Sequence, residues 1–258
     1  MVKAVPDILA RIVDQKKAEA RRITPELESD AERLIAGRRD FAGSLTKTSP
    51  AIIAEVKKAS PSRGLLAQDF DPAAIARSYE NGGAAALSVL TDGPNFQGSL
   101  DDLKMARASV ELPVLRKDFT IGEFDIIEAS AAGADAILLI AAILDERQLR
   151  LYRELATRYG MTALVEVHNE DELDLAIASG ANVIGVNSRN LHTFDVNLDV
   201  ALTLAARMPA GSIRVAESGI RSAADVRRLE AAGYNAFLIG EHLMKSGDPA
   251  AAVKALLA

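Results

Sequence analysis

The chain contains no cysteine. That single absence excludes disulfides, thiolate zinc sites and cysteine nucleophiles together, and it accords with a reducing compartment. There is no surplus of positive charge either: 30 Lys and Arg against 36 Asp and Glu leave a formal charge of −6. A nucleic-acid partner is therefore not expected, because phosphate recognition needs an excess of cations to displace counterions. Long hydrophobic runs are also missing. The longest, from Ala136 to Leu144, falls far short of the roughly 20 apolar residues of a membrane span. The opening MVKAVPDILARIVDQKK lacks the apolar stretch of a secretory signal. These absences together predict a cytoplasmic protein without a membrane partner. The three histidines, His168, His192 and His242, lack the paired or helical spacing of a metal site, so no metal is expected.

What is present is a repeat. GAAALSVL at 83–90, GADAILLI at 133–140, GANVIGVN at 180–187 and GYNAFLIG at 233–240 each join a glycine, a small or polar pair and an apolar run. A glycine ends a helix in the left-handed conformation. The apolar run after it reads as a strand buried on both faces, as in parallel sheets. Four more runs, Ile52–Val56, Pro113–Arg116, Ala163–Val167 and Ile213–Ala216, lie between these. Helical patterns separate them at 72–81, 124–132, 146–159, 170–179, 200–208 and 223–232. Asp71-Pro72 supplies an N-cap with proline at the first helical position, and Ser222 caps the helix carrying Val226 and Leu229. About eight strand–helix units in 258 residues predict an α/β fold, a closed (β/α)8 TIM barrel, in preference to an open doubly wound sheet. Residues 1–48 are expected as an N-terminal helical extension of a single barrel domain covering 1–258. Ile8, Leu9, Ile12 and Val13 form its apolar face, suited equally to a plug under the barrel or a lid on the substrate side.

Barrel active sites lie at the C-terminal ends of the strands. The residues at and just beyond the end of each run are therefore the candidates. They are Glu55, Lys57, Ser60 and Ser62 for the first strand and Lys117 and Phe119 for the third. Glu166 and His168 come with the fifth, Asn187 and Arg189 with the sixth, Glu217, Ser218 and Gly219 with the seventh, and Gly240 and Glu241 with the eighth. Glu55 and Lys57 share strand parity, so both can face one cavity. Buried charges need partners, and converging lysines and glutamates push each other's pKa values apart. Lys117 is expected to be lowered by desolvation and by Lys57, with the glutamates opposing. Loops after strands seven and eight commonly hold phosphate, which nominates Gly219, Gly240 and the backbone of Glu241. Phe96 and Phe119 suit the walls of an aromatic pocket or the core. On residues alone, a phosphosugar barrel of Schiff-base aldolase type, with Lys117 as the amine, and a non-catalytic barrel scaffold both remain open.

The ordered motifs AEVKKASPSRG (54–64), LRKDF (115–119), LVEVH (164–168), GVNSRNL (185–191), VAESGI (215–220) and AFLIGEHLM (236–244), with ILARIVDQKKAE near the start, resemble the indole-3-glycerol phosphate synthase family of tryptophan biosynthesis. The resemblance covers nearly the whole chain. It implies ring closure, decarboxylation and dehydration of 1-(2-carboxyphenylamino)-1-deoxyribulose 5-phosphate, with no metal or organic cofactor. It implies Lys117 as the general acid of ring closure and Glu166 as the acid/base of dehydration. Lys57 would contact the substrate anions and donate a proton, Glu55 would position the lysines, and Asn187 and Arg189 would orient the substrate. Ser60, Glu217 and Ser218 would make further polar contacts. The substrate is a small phosphosugar, and a monomer or weak homodimer is expected. Glu241 stands where some family members carry a small hydroxyl residue, so only its backbone is expected at the phosphate.

Overall fold

The computed structural model describes residues 7–19, 21–61, 64–67 and 69–258. Ser62 and Arg63 of the AEVKKASPSRG motif lie outside them. Eight parallel strands close into a barrel: β1 (Ala51–Val56), β2 (Ala86–Leu90), β3 (Val114–Lys117), β4 (Ala136–Ile140), β5 (Thr162–Val167), β6 (Val183–Asn187), β7 (Ile213–Glu217) and β8 (Ala236–Ile239). β1 pairs with both β2 and β8, which completes the ring. A hairpin of two-residue strands, Ala59–Ser60 and Gly64–Leu65, decorates the loop after β1.

The repeat has a plain physical basis. Gly83 follows the helix Pro72–Gly82 at φ 93°, its N–H returning to the carbonyls of Tyr79 and Glu80. Gly133, Gly180 and Gly233 also take positive φ, a conformation that a Cβ disfavours. The strands then alternate. Ile53, Leu115, Leu138, Ile140, Leu164, Val215 and Leu238 fill the barrel interior. Ile52, Val56, Leu87, Val89, Ile137, Val165 and Ile239 pack outward onto the helices. The continuous apolar runs are thus two buried faces read in turn. β3 extends one residue further than the apolar run suggests, so Lys117 is the last residue of a strand and not a loop residue. The helices Leu100–Ala108 and Pro249–Leu256 lie outside the ranges that periodicity picks out. Both are short and weakly patterned, but each carries a side-chain N-cap, Ser99 and Asp248.

The segment before the barrel divides between its two ends. Helix α1 (Asp7–Ala18) lies at the C-terminal mouth, where Ile8, Leu9 and Ile12 line the central cavity. Lys16 anchors it there through an ion pair to Asp118, 2.7 Å, next to Lys117. Helix α2 (Pro25–Arg33) packs outside, capped by Thr24. Helix α3 (Phe41–Lys47) inserts Phe41 and Leu45 among Ala51, Ala86, Leu115 and Ala236 and so closes the opposite end. Buried Asp135 fixes this arrangement by accepting from the N–H groups of Arg39 and Val114, both at 2.9 Å, and from the Arg107 guanidinium at 2.9 and 3.2 Å. The extension is therefore a cover at one end and a plug at the other.

Phe41 is fully buried at the closed end, away from the charged mouth. Phe41→Ala is expected to cost about 3–5 kcal/mol. Urea unfolding should show a lower midpoint at constant m-value. A midpoint equal to the wild type would show that α3 does not plug the core.

Candidate active site

The apolar interior ends, at the top of the barrel, in a layer of charge. The inward positions that close β1, β3, β5 and β7 are Glu55, Lys117, Glu166 and Glu217, in register with Ser88, Leu90, Ile140 and Asn187 on neighbouring strands. Above this layer opens a cavity of about 490 Å3. Glu55, Lys57, Ser60, Phe96, Lys117, Phe119, Glu166, Asn187, Arg189, Glu217, Ser218, Gly219, Gly240 and Glu241 all line it. Of the residues nominated at the strand ends these share one surface, whereas His168 lines a second cavity and Ser62 lies outside the described residues.

Lys117 is the hub. Its Nζ lies 2.7 Å from Glu166 Oε2 and 3.3 Å from Glu217 Oε2. Lys57 pairs with Glu55. The pKa of Lys117 moves opposite to the expectation from sequence. Burial disfavours its ammonium, but the carboxylates of Glu166, Glu217 and Glu55 outweigh burial and raise it above the usual lysine value. Glu166 goes the other way: burial would raise it, but Lys117 and His168 hold it well below the carboxylate range. Glu217 is raised, by burial first and then by the neighbouring Glu166 charge, against the pull of Lys117. The two carboxylates titrate as a pair. The Glu217 Oε1 is buried and without a hydrogen-bond partner.

Two glycines make room for these groups. A Cβ at Gly240 would collide with the Glu55 carboxylate and come 3.0 Å from Lys57 Nζ, and one at Gly185 would collide with the Glu217 carboxylate. At the end of β7 the chain turns through two left-handed residues, Ser218 at φ 66° and Gly219 at φ 85°. Gly240 caps the short helix Glu241–Met244. The Glu241 carboxylate is held by Lys245 at 2.7 Å and lies 3.9 Å from Arg189. Asn187 Oδ1 accepts from the Arg189 N–H at 3.1 Å, which shapes the loop after β6. Phe96 and Phe119 face each other across the cavity edge with ring centroids 6.2 Å apart.

Sequence reasoning leaves out two groups of lining residues. Leu138, Ile140 and Leu238 form an apolar floor, and Leu191, Phe194 and Val196 come from the loop after β6. Their apolarity looks like core in a sequence, and only barrel closure turns them toward a cavity. His168, a candidate at the end of the fifth run, does not line this cavity but sits behind Glu166. Its Nε2 lies 3.3 Å from Glu166 Oε1, and its Nδ1 is 2.9 Å from Glu172 Oε2. Burial would lower its pKa, but the two carboxylates prevail and raise it to about 9. The i, i+2 spacing to Glu166 across the end of β5 is the available signal. Among the described residues, no group of three or more His, Cys, Asp or Glu is arranged to hold a metal ion, and no helix is long and apolar enough to cross a membrane.

A family model described as indole-3-glycerol phosphate synthase matches residues 9–256. Among curated relatives, the indole-3-glycerol phosphate synthase of Desulfotalea psychrophila is 52% identical over 247 residues, 94% of this chain and 95% of the relative. That of Polaromonas naphthalenivorans is 48% identical over 97% of this chain and 98% of its own. Solved structures similar in fold include 3-hexulose-6-phosphate synthase from Salmonella typhimurium, with TM-score 0.64, 14% identity and coverage of 80% and 96%. Thiamine phosphate pyrophosphorylase from Pyrococcus furiosus has TM-score 0.60, 16% identity and coverage of 81% and 94%.

The raised pKa of His168 makes stability depend on pH with a definite sign. The folded state holds the proton more tightly, so the contribution is complete below the ordinary value of 6.5 and is lost as pH rises through about 9. The unfolding free energy of the wild type minus that of His168→Gln should therefore shrink from pH 6 to pH 9.5. A difference constant with pH would show that the imidazole carries no extra proton affinity.

Proposed function

The chain belongs to the indole-3-glycerol phosphate synthase family, and on that premise we propose how its cavity residues divide the chemistry. The reaction is that of a carbon–carbon carboxy-lyase of tryptophan biosynthesis. It closes the five-membered ring of 1-(2-carboxyphenylamino)-1-deoxyribulose 5-phosphate, releases CO2 and water, and yields indole-3-glycerol phosphate. The observation that carries the assignment is the Lys117 ammonium, held 2.7 Å from Glu166 and 3.3 Å from Glu217 at the base of the cavity. Attack of an electron-rich aromatic carbon on a ketone needs an acid at the ketone oxygen, and Lys117 supplies it. The carboxylates that keep Lys117 charged also deny it a lone pair, which disfavours the Schiff-base aldolase reading. Glu166, the ionised carboxylate beside it, serves as acid and base in the dehydration.

Around this pair, Lys57 with its Glu55 partner meets the substrate anions and can donate a proton. Asn187, Arg189, Ser60 and Ser218 orient the substrate, and Glu217 completes the polar wall. Phe96 and Phe119 flank the aromatic ring. The backbone at Gly219, Gly240 and Glu241 receives the phosphate, a reading supported by the Glu241 carboxylate being paired with Lys245. No metal or organic cofactor enters this scheme. We further infer one domain over 1–258 with 1–48 as its extension, acting in the cytoplasm as a monomer or weak homodimer. Contact of that extension with both barrel ends and the lack of cysteine support this reading.

Indole fluorescence should appear from the carboxyphenylamino substrate without added metal, and a rate sensitive to EDTA would count against the scheme. Lys117→Ala is expected to lower kcat by roughly 10²–10⁴-fold, the range for a lost general acid; near-normal turnover would remove Lys117 from that role. Glu166→Gln should slow dehydration more than ring closure in single-turnover measurements. Equal slowing of both steps would refute the division of labour.

A further inference from the structure

We propose that His168, held by Glu172, is a proton relay that returns a proton to Lys117 through Glu166 from a second cavity bordered by the segments after β5 and β6. The proposal rests on the general-acid role assigned to Lys117 above. The reaction has a proton balance to meet. Ring closure adds one proton to the ketone oxygen. Decarboxylation breaks the bond to the carboxylate carbon, and its electron pair neutralises the ring iminium. Dehydration gives a second proton to the departing hydroxide and releases one from the carbon beside nitrogen. A carboxylate anion thus leaves as neutral CO2, and each turnover consumes one proton net. Solvent must supply it while substrate fills the main cavity beneath Leu9 and Ile12 of α1.

The structure offers a route that avoids the mouth. The second cavity, about 530 Å3, is lined by His168, Glu172 and Ser188, and it meets solvent at the exposed His192, Thr193 and Asp195. The lining of the main cavity includes Glu166 but not His168, and that of the second includes His168 but not Glu166. The two linings share Asn187, Arg189 and Leu191, and the imidazole stands beside Glu166 on the side of the second cavity. One Glu166 oxygen faces Lys117 at 2.7 Å, and the other faces His168 Nε2 at 3.3 Å, close enough for an ion pair but outside hydrogen-bond geometry. On the far side, Glu172 Oε2 lies 2.9 Å from His168 Nδ1 and accepts from the His168 N–H at 2.9 Å. Asn169 Nδ2 fixes the other Glu172 oxygen at 2.8 Å, in the first turn of the helix Glu170–Ala178. Ser188 Oγ, buried and without a hydrogen-bond partner, borders the same space. Such a polar group marks room for water.

The charges facing His168 favour a loaded ring. They are Glu166 on its own strand, Glu172 on the following helix, Lys117 and Glu217 behind Glu166, and Arg189, His192 and Asp195 from the loop after β6. With its pKa raised to about 9, the imidazole is cationic at neutral pH. When Lys117 has given its proton to the ketone oxygen, the imidazolium passes its Nε2 proton to Glu166, which hands it on to the neutral Lys117 amine; Glu166 itself gives one proton and takes one in the dehydration. The ring then regains a proton from solvent in the second cavity, with Glu172 holding it in both states. His168 never touches substrate in this scheme, so it is a positioning residue acting through Glu166.

The test uses the full-length enzyme and the fluorescence assay of turnover. His168→Ala is expected to lower kcat on the order of 10-fold or more with little change in KM. Added imidazole, which fits the vacated space, should restore the rate in proportion to its protonated fraction. Unchanged kcat and pH profile would overturn the relay, as would a loss that imidazole does not relieve in protein of wild-type Tm. Glu172→Gln is the second variant, for a case in which His168→Ala fails to fold. It should move the high-pH limb of kcat to lower pH, and an unmoved limb would overturn the proposal. Lys117→Ala separates the two readings. If it turns over normally, the role of Lys117 itself fails. If it does not, while His168→Ala turns over normally, only the relay fails.

Discussion

A lysine ammonium set into the top of an otherwise apolar barrel is the constraint on which the rest of this structure depends. Below Lys117 lie Leu115, Leu138, Leu164 and Leu238, which offer nothing to a charge. A buried cation without partners would lose its proton or unfold the site. Glu166 and Glu217 therefore come from strands across the barrel to meet it. Their presence raises new demands. Two carboxylates this close oppose each other's ionisation, so Glu217 is raised by burial and by Glu166, while Lys117 and His168 hold Glu166 down. Their bulk requires bare backbone at Gly185, just as Glu55 requires it at Gly240. Close packing turns one charged side chain into constraints on several strands.

The same cluster explains why the N-terminal segment is divided. Asp118, directly after Lys117, is buried and held below the usual carboxylate range by Arg116 and Lys16, in spite of its burial. Lys16 belongs to α1, so the helix that covers the mouth is fastened beside the strand end that carries Lys117. At the other pole, α3 supplies Phe41 and Leu45 to an interior whose lowest layer is largely alanine: Ala51, Ala86, Ala136 and Ala236. Small residues there leave a gap that the strands cannot fill themselves. The segment supplies the volume, and Asp135 clamps its approach.

Much of this is legible in the sequence because barrel strands carry two independent signals. The apolar run marks where a strand lies, and the polar residues after it mark its C-terminal end. Glu55, Lys57, Lys117, Glu166 and Glu217 emerge from that logic, and they share one cavity. The failures are equally physical. The direction of the Lys117 shift is misjudged from sequence because a sequence does not give distances, and the sign follows from the three carboxylates gathered around its ammonium. His168 reads as bland because its partners, Glu166 two residues before and Glu172 four after, look unremarkable until strand and helix bring both to one ring. The helices at Leu100 and Pro249 lack strong periodicity, so their caps and their packing define them.

The sequence by itself determined the architecture and the reaction. Repeated glycine–apolar units admit few topologies, and seven ordered motifs leave little freedom in the chemistry. Only the tertiary structure decided which end of the barrel α1 and α3 each cover, in which direction each carboxylate is shifted, and that an imidazole stands between Glu166 and Glu172. These properties depend on distances of about 3 Å between groups tens of residues apart, because electrostatic energies vary steeply with separation and burial. A linear pattern records neighbours along the chain, and closing the barrel is what creates neighbours across it.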